Sequence, residues 1–535
     1  LKLKIPGNKK LLQRFFKAQH SRGFVSVYTL SLQLGIVVTA AIATGFAAPV
    51  YADSDQVDEL IISGSTYSGK ASTVTVGQTL PGGGTAVANG TYPGVFNNTT
   101  PDGSFGITSP IFLQKISTDG EDRGEADVDP SLIVTSFSSK SELALNLTPD
   151  GTGLTFMGYA SGINQLDVSN SNTPGIIEPG NPVTTTPTYR EVAQINYDAL
   201  NFEGYLIPKV TKTNAYPGNN GRAAILGSNR LYFTVGNAGN GNGSPAVTDA
   251  AGVQIVIPRE DATPATPGTN QVGSYNITQN GYPQAADKPA KDNNFRGETI
   301  FNNTLYVTKG SGSNGINTVY QVGNAGSLPT LANAATAPIT ILPGFPTNLA
   351  KTGKNVNGIV QPIYYPFGIW FANATTLYVA DEGDGVMADA ATSTTAGLQK
   401  WSLVNGTWQL DYVLQKGLNL GQTYTVPKLP TSPTNYNPAT DGLRNLTGKV
   451  NRDGTVSLYA VTSTVSGSGD QGADPNEVVA ITDRLSNTTA TQAASEKFRV
   501  IRAPKYRQVL RGISFAPKPP LERKGWEHEG DKGRN

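Results

Sequence analysis

The stretch FNNTLYVTKGSGSNG, residues 301–315, runs from a short apolar strand straight into a glycine-rich loop. The arrangement recurs as NRLYFTVGNAGNGNG at 229–243, TTLYVADEGDG at 375–385 and VSLYAVTSTVSGSGDQG at 456–472, with a weaker copy, GLTFMGYASG, at 153–162. The strand aromatics Phe156, Tyr232, Tyr306, Tyr378 and Tyr459 mark the repeat and lie 76, 74, 72 and 81 residues apart. A period this long exceeds those of helical and leucine-rich repeats and suits four-stranded propeller blades with generous loops.

Neighbouring runs fill out the period. RAAIL, RGETIF and FGIWF precede markers, and SPIFLQKIS, VYQVGN, LQKWSLV and EVVAITD follow them. Two alternating runs flank Asn405-Gly406, the dipeptide that best fits a two-residue hairpin. At the ends, VLRGISFAP (509–517) reads as the first strand of a blade and DELIISGSTYSG (58–69) as a second strand with its loop. Pairing them completes one blade from both termini and removes the open edge. The expected fold is therefore all-β: a β-propeller of six blades, each of four antiparallel strands. The 95-residue gap between Ile61 and Phe156 leaves room for a seventh.

Composition agrees. There are 60 glycines and 35 prolines in 535 residues, and charged residues make up 15%, against about 25% in ordinary domains. The net charge of +1 gives no reason to expect nucleic acid as a partner. There is no cysteine, and the two histidines, His20 and His528, lie near the ends. Between them the chain lacks the groups for Ser-His-Asp catalysis, a thiol nucleophile or a histidine metal site.

Residues 1–52 read as a signal peptide, with Lys2, Lys4, Lys9, Lys10, Arg14, Lys17 and Arg22 ahead of an uncharged apolar run from Phe24 to Ala48. The alternative is an uncleaved anchor, since Leu30–Ala48 is about long enough to span a bilayer. The body, 53–517, is expected to be secreted, periplasmic or extracellular, or membrane-anchored if the segment is retained. It is expected to be a monomer stabilised by its own packing. Residues 518–535 read as a disordered charged tail.

TPDG at 148–151, ahead of GLTF, is similar to the Ser-Pro-Asp-Gly turn of many bacterial WD40-like propellers. With its abundant Asn, Gly and Thr, the body resembles the uncharacterised secreted bacterial β-propeller proteins of that type. The resemblance implies the fold and brings no reaction with it.

In a propeller, the loop entering the innermost strand and the loop leaving the second open on one face. Arginines recur at the entry: Arg222, Arg296, Arg444 and Arg511, with Phe367 at the equivalent place in one repeat and Lys140 a candidate in another. Clustered guanidiniums repel, by roughly 2 kcal/mol per pair at 9 Å in surroundings of dielectric 20. Two offsets fit: a bound anion matched to the guanidinium fork, or internal ties to carboxylates and turn carbonyls. Asp381, Glu382 and Asp384 in DEGDG, with Asp470, are the acidic candidates for such pairing or for calcium, although they lack the alternating ligand spacing of an EF-hand. Glycines in the loops supply positive φ. Trp370, Trp401 and Trp408 fall on strands and are expected to pack between blades.

These features support an exported binding or scaffold module offering an arginine-bearing face to an anionic small molecule, a polysaccharide or a protein. The alternative is a calcium-assisted, histidine-independent hydrolase or lyase on the same face. A membrane is a partner only if the N-terminal segment stays.

Overall fold

The computed structural model describes residues 58–80, 84–96, 106–138, 142–181, 186–239, 244–259, 269–283, 288–465 and 472–520. The segment 1–52, most of the charged tail, Lys140 and Asp470 lie outside them.

Six antiparallel sheets account for the repeat. Blade one takes its first strand, Gln508–Phe515, from the C-terminal end and its others, Glu59–Thr66, Ile111–Ser117 and Asp122–Asp127, from the N-terminal part. The closure expected from the end sequences is therefore present, with Ile62 opposite Ile513. The first strands of blades two to six begin at Asn146, Gly221, Glu298, Pro366 and Ala439, and each sheet runs outward in chain order. Every marker aromatic lies on a second strand: Gly153–Tyr159, Tyr232–Gly236, Thr304–Lys309, Thr376–Asp381 and Thr455–Val465. Each first strand touches the first strand of the next blade, and the sixth touches that of the first, so the ring closes.

Two details depart from a uniform repeat. Blade three has three regular strands, and its fourth is only a short segment in which Gln271 bridges to Gln254. Among the described residues, the long gap after Ile61 holds no seventh blade. Tyr67, Tyr92, Phe96 and Phe137 there gather into an aromatic cap over Val426, Ala473 and Val509.

Between blades both faces of each sheet are buried, so alternate residues of one strand serve two interfaces. Leu377 and Val379 pack toward blade four with Val319 and Trp401, whereas Tyr378 and Ala380 pack toward blade six with Leu458 and Val479. Comparable apolar clusters fill the other four junctions. Each fully buried Leu or Val contributes about 1.5–3 kcal/mol, and this replaces the cross-links that a chain without cysteine cannot make through sulfur. Trp401 and Trp408 take the packing role expected of them, with Trp401 stacked on Phe345 at 4.1 Å.

Glycine sets the inner radius. A Cβ on Gly297, Gly368 or Gly512 would lie 2.2, 2.4 or 2.2 Å from the carbonyl oxygen of Phe367, Arg444 or Leu143, each on the following blade. The Arg-Gly pairs of the first strands are thus packing units as well as charge carriers. The same contacts mark equivalent positions in blades one, two, four, five and six, and in blade three the place falls to Arg222 near the start of Gly221–Leu226.

Candidate functional site at the propeller mouth

Those positions are Arg511, Leu143, Arg222, Arg296, Phe367 and Arg444 in blades one to six. The equivalence of Phe367 with the arginines is as expected. In blade two the position is held by Leu143, whose carbonyl meets Gly512 and accepts a hydrogen bond from Ser63 Oγ at 2.5 Å; Lys140 lies outside the described residues. In blade five, the Phe367 carbonyl likewise meets Gly297 and accepts from Thr308 Oγ1 at 2.6 Å.

The two blades without an arginine supply glutamates instead. Glu142, next to Leu143, accepts hydrogen bonds from the Tyr159 hydroxyl and from Asn220 Nδ2, the latter at 3.2 Å. Glu382, in the loop leaving the second strand of blade five, pairs with Arg444 Nε at 3.2 Å. Blades two and five lie opposite each other, so the carboxylates separate one pair of arginine blades from the other. Burial and the charge of Arg296 both disfavour the charged form of Arg222, while Glu142 and Glu382 favour it. Glu382 also supports the charge of Arg296 against burial and Arg444.

The four arginines differ in what they do. Arg511 is drawn under the aromatic cap, donating to the carbonyls of Phe137 and Gly472. Arg222 donates to Asn294 Oδ1 and, at 2.6 Å, to the carbonyl of Phe295 on the next blade. These two carry out the internal tying that was one of the two readings. Arg296 and Arg444 instead line a cavity of about 190 Å³ together with Gly310, Ser311 and Gly312, with Tyr365 and Glu382–Gly385, and with Asp441. First-strand arginines and second-strand glycine loops therefore meet on one face, as the repeat requires.

A wider groove of about 440 Å³ adjoins the cavity, sharing Tyr365 and Asp384 with it and lined further by Gln361, Asp389, Thr392 and Thr395. Burial and the carboxylates of Asp384, Asp381, Asp389 and Asp441 push the Tyr365 hydroxyl up to about 12, so it stays protonated and can donate.

The opening stretch folds around a cation. Lys309, fully buried at the end of its strand, donates to Asn317 Oδ1 at 2.9 Å and to the Ser311 carbonyl at 3.2 Å. Burial lowers it to about 7; Asp292 opposes this, and Arg296, Arg222 and Lys291 add to it. Lys291 is likewise lowered to about 7, chiefly by burial and then by Arg222. Gly312 and Gly315 take φ of 75° and 71°, which lets the loop turn back over this ammonium.

The acidic candidates are dispersed over separate tasks. Asp381 is a fully buried loop anchor, accepting from Tyr365 N at 2.7 Å, Gly383 N at 3.0 Å and Gln399 Nε2 at 2.9 Å. Burial pushes it up to about 8 against those backbone bonds. Glu382 belongs to Arg444, and Asp384 accepts from Val386 N at 2.8 Å. Among the described residues, no three His, Cys, Asp or Glu side chains are grouped to hold a metal ion.

Sequence reasoning missed Glu142, Tyr365, Asp441, Lys291 and Lys309. Asp441 carried a usable signal, standing three residues ahead of Arg444 in DGLR, and its Oδ2 accepts from Gly385 N at 2.8 Å.

Fold and mouth together define the class: a six-bladed β-propeller with a charged, cavity-bearing face. No protein-family model and no curated protein sequence matches the chain. Among solved structures it is similar to the PQQ-bound aldose sugar dehydrogenase of Streptomyces coelicolor, at 11% identity and a TM-score of 0.34 over 78% of this chain and 98% of that one. It is similar to a PL25 ulvan lyase at 9% identity and a TM-score of 0.29, over 84% and 97% of the two chains. For the tail fibre of Staphylococcus aureus phage P68 the values are 10%, 0.26, 62% and 48%. None of these similarities is close enough to transfer a site or an activity.

Proposed function

We propose that the protein is an exported binding module whose mouth takes an anionic group of a small molecule, a polysaccharide or a protein into the cavity beside Arg296 and Arg444. One observation carries the reading: the cavity wall is built jointly from two arginines and the backbone of two glycine-rich loops. Guanidinium forks match carboxylate, sulfate and phosphate oxygens, and the Tyr365 hydroxyl adds a donor on the same wall. The two arginines share the wall with Glu382, Asp384 and Asp441. Glu382 is taken up by Arg444 and Asp441 accepts from Gly385 N, while Arg222, Lys291 and Lys309 add cationic groups close by. The adjoining groove, rich in hydroxyl and amide groups, suits the polar remainder of such a ligand.

The reading is tested by thermal unfolding of residues 53–517 with uronates, sulfated sugars, phosphate and neutral sugars, with calcium and with a chelator. A ligand at a hundred times its dissociation constant adds about 2.7 kcal/mol. A rise in Tm with anions that Arg296→Ala abolishes is the expected result. No response to any anion would overturn it, and a chelator-sensitive melt would favour a metal-dependent site instead.

A further inference from the structure

A second charged cluster, remote in sequence from the arginines, lies between the third strands of blades five and six, Gly397–Val404 and Val478–Arg484. Lys400 Nζ lies 2.9 Å from Asp483 Oδ2, and neither side chain has any exposed surface. The Tyr378 hydroxyl donates to Asp483 Oδ2, and the Tyr412 hydroxyl to Oδ1 at 2.8 Å. Glu496 adjoins Asp483, with its Oε1 accepting from Asn487 Nδ2 at 2.9 Å. We propose that Lys400 and Asp483 condense into an amide, an intramolecular isopeptide bond joining blades five and six.

Each group needed for the condensation is in place. A neutral amine has two hydrogens and one lone pair. The carbonyls of Arg484 and Leu485, at 2.7 and 3.2 Å from Nζ, can take both hydrogens, leaving the lone pair for the side that holds Asp483 and, at 3.0 Å, the Tyr412 hydroxyl. The carboxyl carbon is one bond beyond the oxygen that Nζ already touches. Fixing two reactants in this way corresponds to effective concentrations of about 10⁵–10⁸ M. The tyrosine hydroxyls donate to both carboxyl oxygens, so the one that stays and takes up negative charge as nitrogen adds to carbon has a donor in place, the role of an oxyanion hole.

Glu496 supplies the acid. No hydrogen-bond donor reaches its Oε2 among the described residues, although that atom is buried. Burial and the neighbouring Asp483 raise its carboxyl well above the ordinary range, so it holds a proton at neutral pH. In the step, the Lys400 ammonium loses a proton to Asp483, and Nζ bonds to Cγ. Glu496 then gives its proton to the departing oxygen and regains one from the nitrogen. The Cγ–O bond breaks and one water leaves; nothing is oxidised or reduced. Expulsion of that water from a closed interior favours the amide, which is unfavourable in bulk water.

The test is a peptide map of the full chain. Trypsin should yield residues 355–416, uncut after Lys400, joined to residues 453–484, with a mass one water below the sum of the two. Glu496→Gln should retain the propeller by circular dichroism and give the two segments separately, with cleavage after Lys400. Wild-type protein that yields only separate segments overturns the proposal, whether or not the variant folds. A cross-link that persists undiminished in Glu496→Gln overturns the role given to that acid.

Discussion

The two buried charge clusters of this propeller were built to different ends. At the mouth, cations and carboxylates are drawn together around an open cavity, where Arg296 and Arg444 face Glu382, Asp384 and Asp441. Between blades five and six, one lysine meets one aspartate, both sealed from solvent, and two tyrosines and two backbone carbonyls complete their hydrogen bonds. Buried charge is tolerated only where it is paired and hydrogen-bonded. The sealed cluster meets that condition internally, whereas the mouth leaves room for an outside group to meet it. Stability should therefore depend on the first and binding on the second.

The sharpest way to break this contrast is Lys400→Met. It leaves Asp483 buried against Tyr378 and Tyr412 with neither a cation nor the amide link to blade five, and removal of one partner of a buried pair by itself costs about 3–5 kcal/mol. Denaturant unfolding should show that loss as a lower midpoint. A midpoint within error of wild type would mean that the cluster does not hold blades five and six together.

Next comes the ring on which the arginines sit. Gly512→Ala would place a Cβ 2.2 Å from the Leu143 carbonyl, where backbone rather than a flexible side chain must yield. Overpacking of this kind costs about 1–3 kcal/mol. It should also displace Arg511 from the cap carbonyls. An unchanged Tm would show that the blades have slack at the axis and that the glycines are not what sets their spacing.

A third comparison uses pH. Glu191, on the third strand of blade two, is buried with no hydrogen bond to its Oε2, and burial pushes it up to about 8. A carboxyl whose folded value lies above its unfolded value of 4.5 contributes stability that is fully present below pH 4.5 and lost as pH rises through about 8. Lys291 and Lys309 act in the opposite sense: lowered to about 7, they make stability rise between pH 7 and their unfolded value of 10.5. Glu191→Gln should therefore add about 1–3 kcal/mol at pH 9 and little at pH 4. Equal effects at both pH values would show that Glu191 is charged throughout.

How much of this was readable in the chain follows from where each feature's cause lies. The second strands, the shared blade closed by 509–517 and 58–69, and the arginine entries all recur at one period, so the repeat itself exposed them. The entry position in blade two did not: its cation was sought at Lys140, but the backbone contact falls on Leu143 and the charge there is Glu142. The cap could not be foreseen, because its aromatics pack across blades with no spacing to announce them. Lys400 and Asp483 were equally hidden, standing 83 residues apart as charges within mostly apolar strands. Periodic features are legible from one chain; partnerships formed once, across an interface, are not.

The smallest expected effect on stability is the most informative about function. Arg296→Ala removes one of the guanidiniums that destabilise each other at the mouth: Arg296 disfavours the charged forms of both Arg222 and Lys309. It also removes a donor to Ser311 Oγ and the packing of a long side chain. These terms oppose each other, so the midpoint should move by less than about 1 kcal/mol. Arg444→Ala should cost more, because Glu382 would lose its partner at 3.2 Å. Loss of anion binding in both variants, with stability lost only in the second, would separate the ligand role of the mouth from its packing role. Equal destabilisation of the two would place Arg296 with Arg222 and Arg511, as another tie between blades.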